Sequence, residues 1–380
     1  MRISTLRFAI LVLTAVTVFV CIAGAQNTPT CTVNSDFVRP NCDPNKGWLI
    51  GETCMHKTVS CSSVNGVTIK DLGITFGYLT PRRPKGTIVF FSQSGGTTPG
   101  ESGEQGYPGT YYSAGFQVVQ TAWDSDWEDT GTPTKNIAYA AGRAAALLSY
   151  IKTNLYDPIH FTQPSAGMCA QGSSGGSAAI AYALAWYNAG SYLDKTVMAS
   201  GPPLSDIAQG CDVNGSIPLV TVCPAGQLGC NSANNPPSWM APIAYTDARA
   251  GVRQWSDDVT LGPSGVCRRT HGNTSVQASI EWKAMSIADG TIGTFNYPQT
   301  SVTAWLCSSV SNNGTMNNSS SEAQLFFQNF TSPSQTFGLQ INGVSHCAGP
   351  EGVSEGIAPQ GETGRNAIEA DMIASCVAHH

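Results

Sequence analysis

Short apolar runs rich in β-branched and aromatic residues alternate with helix-forming runs along much of this chain, and that alternation restricts the fold more than any other feature. "GTIVFFSQ" (86–93) and "GFQVVQTAW" (115–123) have the composition of strands buried on both faces. "TKNIAYAAGRAAALLSYIKTNLY" (134–156) follows with strong helix formers, and Ile137, Ala141, Ala144, Leu148 and Ile151 fall along one broad face. "MCAQGSSGGSAAIAYALAWY" (168–187) reads as a strand, a turn and a buried helix; "KTVMASG", "SVTAWLCSS" and "TFGLQINGVSH" read as three later strands. Such a series predicts an α/β fold, a mostly parallel central sheet with helices on both faces joined by right-handed crossovers.

Two segments break the rhythm. Residues 26–65 hold Cys31, Cys42, Cys54 and Cys61 among Pro, Asn and Gly with little periodicity, and are expected to form a cysteine-rich N-terminal extension. Residues 206–300 hold Cys211, Cys223, Cys230, Cys267 and the Pro-rich "NNPPSWMAP", and are expected to be a lid or cap. The sheet-and-helix core would then comprise 66–205 and 301–380, with "GVTIKDLGITFGYLTP" as a hairpin at its start.

The first 25 residues have Arg2 and Arg7, an uncharged apolar run and then Ala23-Gly24-Ala25, the pattern of a cleaved export signal. Cleavage there removes Cys21 and leaves twelve of thirteen cysteines, an even number suited to disulfides in an oxidising compartment. The expectation is a secreted protein, extracellular or periplasmic, without membrane attachment once the signal is gone. A formal charge of −6 and the lack of any basic block argue against nucleic acid as a partner.

Of the three serines in "GSSGGS", only Ser174 has glycine two residues before it, Gly172, and two after it, Gly176. A strand-to-helix turn sharp enough to expose a nucleophile brings those flanking positions into collision, and glycine removes it. A Gly/Ser linker would lead into polar chain, whereas alanine, isoleucine, leucine and tryptophan follow here. Placed between a strand and a helix, this motif resembles the nucleophile elbow of the α/β-hydrolase superfamily.

The resemblance implies Ser174 as nucleophile and a histidine far downstream as its base. His346, closing "TFGLQINGVSH", stands where the superfamily carries that residue; His56 and His160 precede the serine, His271 lies in the insertion, and His379 and His380 are terminal. The acid is Asp206 in "ASGPPLSDIAQGC", with Glu322 as the alternative, because Asn312 and Asn313 occupy the loop after the penultimate strand. The oxyanion donors implied are the N–H of Gly175 and that of Ser94 or Gly95, in the glycine-rich loop "SQSGGTTPG".

These assignments imply a serine esterase acting on a small or polymeric carboxylic ester, needing no cofactor and no metal. Acyl transfer or peptide cleavage would use the same residues, and a silent binding module on the same fold is the rival of another class. Trp123 and Tyr112, with Tyr107, Tyr111 and Trp239, lie on predicted loops that could line a substrate cleft. "WDSDWED" (123–129) is either a polar loop or a calcium site, and a Cys307–Cys347 bridge would fix the histidine loop.

Overall fold

A computed structural model of the chain describes residues 28–34, 38–39, 42–64, 66, 68–92, 95–99, 106–128, 137–199, 201–202, 205, 285–287, 293–307, 323, 326–331, 337–344 and 362–379. Among these, ten strands form one sheet: β1 Cys31–Val33, β2 Val38–Arg39, β3 Thr53–Cys61, β4 Leu72–Leu79, β5 Gly86–Phe91, β6 Gln117–Trp123, β7 Gly167–Ser173, β8 Lys195–Ala199, β9 Ser301–Cys307 and β10 Phe337–Val344. Their order across the sheet is β1-β3-β4-β6-β5-β7-β8-β9-β10, with β2 against β3. From β6 to β10 every neighbouring pair is parallel. β4 runs antiparallel to both β3 and β6, and β3 antiparallel to β1 and β2.

Parallel strands need helical crossovers, and the helices fall on the two faces as the apolar runs require. On one face, α2 (Ile137–Ile151) and α4 (Gly175–Tyr187) pack over Val89, Phe91, Val119, Met168 and Ala170. On the other, α1 (Gly106–Ser113) and α5 (Glu362–Ser375) place Tyr107, Tyr111, Ile368 and Met372 against Ile88, Phe90, Val118 and Val197. Each fully buried Leu, Ile or Phe in these layers contributes about 1.5–3 kcal/mol of hydrophobic stabilisation before entropy is counted. A short π turn, Lys152–Tyr156, carries α2 into α3 (Asp157–Thr162), whose start is fixed by Asp157 and the proline after it.

α4 is apolar all round, and every residue from Gly175 to Trp186 is buried. Such a helix needs cover on its outer side as well. Residues from the far end of the expected insertion supply it: Tyr182 Oη donates to Met285 O at 2.5 Å and Thr294 N to Ala185 O at 2.8 Å.

Regular structure begins earlier than the sequence pattern suggests. β3 lies inside the cysteine-rich segment and is the partner of β4, so the "GVTIKDLGITFGYLTP" stretch supplies one strand of a pair rather than a hairpin of its own. β3 escapes a periodicity reading because polar Thr53, His56, Lys57, Thr58 and Ser60 occupy most of it. Disulfides Cys31–Cys61 and Cys42–Cys54 staple this segment, and Cys169–Cys376 ties the central strand β7 to the chain just beyond α5. No helix among the described residues is long and apolar enough to cross a membrane.

Candidate active site

β7 is a run of small residues, "GMCAQGS", and all seven are buried. It holds its place in the sheet through neighbours on both sides, β5 and β8, which override its weak strand propensity. At its carboxyl end the chain reverses into α4 at Ser174, whose φ of 45° and ψ of −116° lie outside the regions favoured by L-residues. Asn188, the other described non-glycine residue with positive φ, sits in the ordinary left-handed conformation that ends a helix. Ser174 occupies no such common well, and strain of about 1–3 kcal/mol there persists only because the surroundings fix it.

Those surroundings are specific. A Cβ on Gly172 would lie 2.4 Å from the backbone of Gly176, and a Cβ on Gly176 would lie 2.3 Å from Phe91 O and 2.6 Å from Ser92 O. Neither glycine can be replaced without moving the central strands. Ser174 N donates to Ala199 O at 2.9 Å, while Ser174 O accepts from Ala178 N at 3.1 Å and from Ser177 Oγ at 2.5 Å. The three serines are therefore distinguished by place: Ser173 and Ser177 are buried, and Ser174 is partly exposed. The first bond of the α4 ladder is the one from Ala178 to Ser174, so the Gly175 N–H lies before the ladder, at the positive end of the helix dipole.

Opposite the turn is the loop that follows β5. Gly95 and Gly96 are buried, and both carbonyls are held from the β6 side: Trp127 N donates to Gly95 O at 2.9 Å and Trp123 N to Gly96 O at 2.8 Å. A Cβ on Gly95 would meet the Asp126 carboxylate at 1.8 Å, so a side chain there would displace Asp126. The loop bearing Trp127 is itself anchored by the fully buried Arg143 of α2, whose Nη1 donates to Trp127 O at 3.1 Å and Nη2 to Lys70 O at 2.6 Å. Beside it, burial pushes the Glu128 carboxyl well above the usual carboxylate range; Asp126 adds to that shift and Arg143 opposes it. Neither Arg143 nor Glu128 stands out in the sequence, where one reads as a helix-surface cation and the other as part of an acidic run.

Trp123 lies at the end of β6, almost wholly buried, with its indole against Gly96. Tyr112 is half-buried and packs on the α1/α5 side of the core. The tyrosines expected on loops belong to helix α1 instead. Tyr107 and Tyr111 stack under it in the core, and the Tyr111 hydroxyl donates to Gln171 Oε1. Ser94, Asp206, Glu322, His346, Cys347 and Trp239 lie outside the described residues, as does Asp129 of the acidic run. Among the described residues no group of three or more His, Cys, Asp or Glu side chains is arranged to hold a metal ion.

No family model and no curated protein matches this sequence. Solved structures do resemble it in outline. A carboxylesterase from Lactobacillus plantarum is 11% identical, with a TM-score of 0.41 over 86% of this chain and 99% of its own. An esterase from Pyrococcus furiosus is 10% identical, with a TM-score of 0.45 over 91% and 98% of the two chains. A thermostable carboxyl esterase from Bacillus coagulans is 12% identical, with a TM-score of 0.33 over 84% and 97%. A parallel sheet whose second core strand, β4, runs antiparallel, with the order β3-β4-β6-β5-β7-β8-β9-β10 and a strained, glycine-flanked serine between β7 and a buried helix, gives this chain the α/β-hydrolase fold.

Proposed function

We propose that the protein is a secreted serine hydrolase that cleaves carboxylic esters. Ser174 Oγ attacks the carbonyl carbon while His346 takes its proton; the carbonyl oxygen becomes an oxyanion that receives hydrogen bonds from the N–H of Gly175 and of Ser94 or Gly95. Collapse of that intermediate breaks the bond to the alcohol oxygen, which leaves with the proton from His346, and Ser174 retains the acyl group. Water then attacks the acyl-enzyme with His346 again as base, releasing the acid and restoring the serine. Asp206 orients the imidazole and balances its charge when protonated.

The observation that carries this reading is the backbone at Ser174: a strained conformation on a buried frame, which presents one hydroxyl at a helix N-terminus. Strain of this kind, held by close glycine contacts, is expected where a reactive group must stand clear of the sheet. A fluorophosphonate probe tests it. The expected result is a single covalent adduct on Ser174, absent in Ser174→Ala and in His346→Ala. An adduct on Ser173 or Ser177, or none on a folded chain, would overturn the assignment.

A further inference from the structure

The described residues line a cleft of about 490 Å3 that is bounded in part by the loop after β5. One wall is the stapled segment: Cys42 and Cys54 in their disulfide, Asp43, Lys46 and Trp48. The facing wall is Thr97, Thr98 and Pro99, and the floor is Thr75 of β4 with Ala122, Trp123 and Asp124 at the end of β6. The walls are joined by one buried amide, that of Gln120. Its Oε1 accepts from Leu49 N at 3.2 Å, and its Nε2 donates to Pro99 O at 2.8 Å and Gly47 O at 3.3 Å. With the disulfide on one side and Gln120 beneath, the cleft is pre-formed, and its volume falls in the range of about 300–1,000 Å3 usual for small-molecule sites.

The facing wall belongs to the same loop that packs on the elbow. Ser92 O bounds the space at Gly176, and Ser92 Oγ donates to Thr98 O at 2.6 Å, which folds the loop so that one end meets α4 and the other faces the cleft. The loop thus joins a wall of the cleft to the frame of the Ser174 turn.

The lining selects among ligand classes. A hydrocarbon chain would strip water from Asp43, Lys46 and three threonine hydroxyls without replacing its hydrogen bonds. An anionic ligand would face two carboxylates and one ammonium, and a cationic ligand would find both carboxylates already engaged, Asp43 Oδ1 by Asn45 N and Nδ2 at 3.1 and 3.0 Å and Asp124 by His56 Nε2 at 2.9 Å. A neutral ring carrying several hydroxyls fits, because each hydroxyl both donates and accepts, as threonines, carboxylates and an ammonium together require, while its C–H groups suit the apolar lining from Trp48, Ala122 and the disulfide. We propose that this cleft is a saccharide subsite and that the ester cleaved at Ser174 is borne on a sugar or sugar chain, an inference that rests on the hydrolase reading above.

Binding is measured in the full chain carrying Ser174→Ala, by saturation-transfer NMR with xylotriose, cellotriose and maltotriose, and with 4-hydroxyphenylpropanoate and hexanol as contrasts. The expected result is binding of at least one trisaccharide with a Kd of about 1 mM, weakened about tenfold or more by Asp43→Asn with Lys46→Met. Both of these side chains are exposed on the rim, so their replacement leaves the core intact. Failure of all three trisaccharides to bind, stronger binding of either contrast ligand, or binding indifferent to the rim substitutions would overturn the subsite. A chain that forms the fluorophosphonate adduct on Ser174 yet binds no saccharide loses this subsite alone, whereas loss of the adduct removes the hydrolase reading.

Discussion

The parallel part of the sheet, β6 to β10, and the antiparallel flank, β1 to β4, are held by different means. In the parallel part apolar side chains leave both faces and helices cover both. In the flank one face meets α2, while the other lies under the irregular segment around Cys42 and Trp48. Burial on two faces is enough to hold Ser174 in a strained conformation. The flank instead uses two short-range disulfides, a buried Glu52 and the Gln120 amide that reaches it from β6, and it forms much of the cleft. Rigidity at the Ser174 turn and the shape of the cleft thus come from different interactions in adjoining parts of one sheet.

Substitutions in the two parts should separate widely. Gly176→Ala strikes the parallel part where a Cβ would lie 2.3 Å from backbone, and it is expected to abolish the native fold or reduce stability by more than about 4 kcal/mol in denaturant unfolding. A soluble variant with an unchanged midpoint would show that burial does not fix the turn.

The disulfides give the next contrast. Cys169–Cys376 spans 207 residues and Cys42–Cys54 spans 12. Chain-entropy reasoning gives about 5 kcal/mol for the first and about 3 kcal/mol for the second when each pair is replaced by alanine. Equilibrium unfolding of the two double variants checks the order, and a larger loss for the short bridge would mean that the flank depends on its staple more than loop length implies.

Glu52 sharpens the comparison through pH. Burial raises its carboxyl to about 8, opposed by the hydrogen bond from Leu49 N at 3.0 Å. Between about 4.5 and about 8 the folded chain keeps a proton that the unfolded chain releases, so this group makes stability fall as pH rises through that window. Glu52→Gln retains an acceptor for Leu49 and removes the ionisation. It should gain about 2–4 kcal/mol over the native chain at pH 8 and almost nothing at pH 4. Equal changes at both pH values would exclude the burial account. The smallest effect is expected at the surface pair His56–Asp124, where Asp124→Asn should shift stability by less than about 1 kcal/mol. A larger shift would assign the flank an electrostatic support that its exposure does not suggest.

The parts of the molecule that can be read from sequence are those where one local pattern has one physical cause. β5, β6 and α2 each carry a continuous or helical apolar pattern, and each forms where the pattern places it. Gly172, Ser174 and Gly176 are legible for the same reason, since two residues at fixed spacing must lack side chains for the turn to close. β3 was hidden because its polar residues mask a strand that pairs on both edges. Tyr107 and Tyr111 read as loop aromatics because "GYPGTYYS" contains proline and glycine, yet burial under α1 against Phe90 overrides that local preference. The roles of Arg143, Gln120 and Glu52 had no local signal at all, because each acts on backbone that is distant in the chain or folded back upon it.

By itself the sequence determined the alternation that makes a parallel sheet, the position of the sharp turn, and which of three serines has glycine on both sides. These follow from side-chain volume and backbone freedom, which are properties of neighbouring residues. Only the tertiary structure decided how Cys31, Cys42, Cys54, Cys61, Cys169 and Cys376 pair, that the stapled segment joins the sheet as β3, that Ser174 takes a strained φ, and that a cleft forms between residues 42–48 and 97–99. Those outcomes depend on distances between segments far apart in the chain, which are set when apolar faces are buried together and buried polar groups find partners.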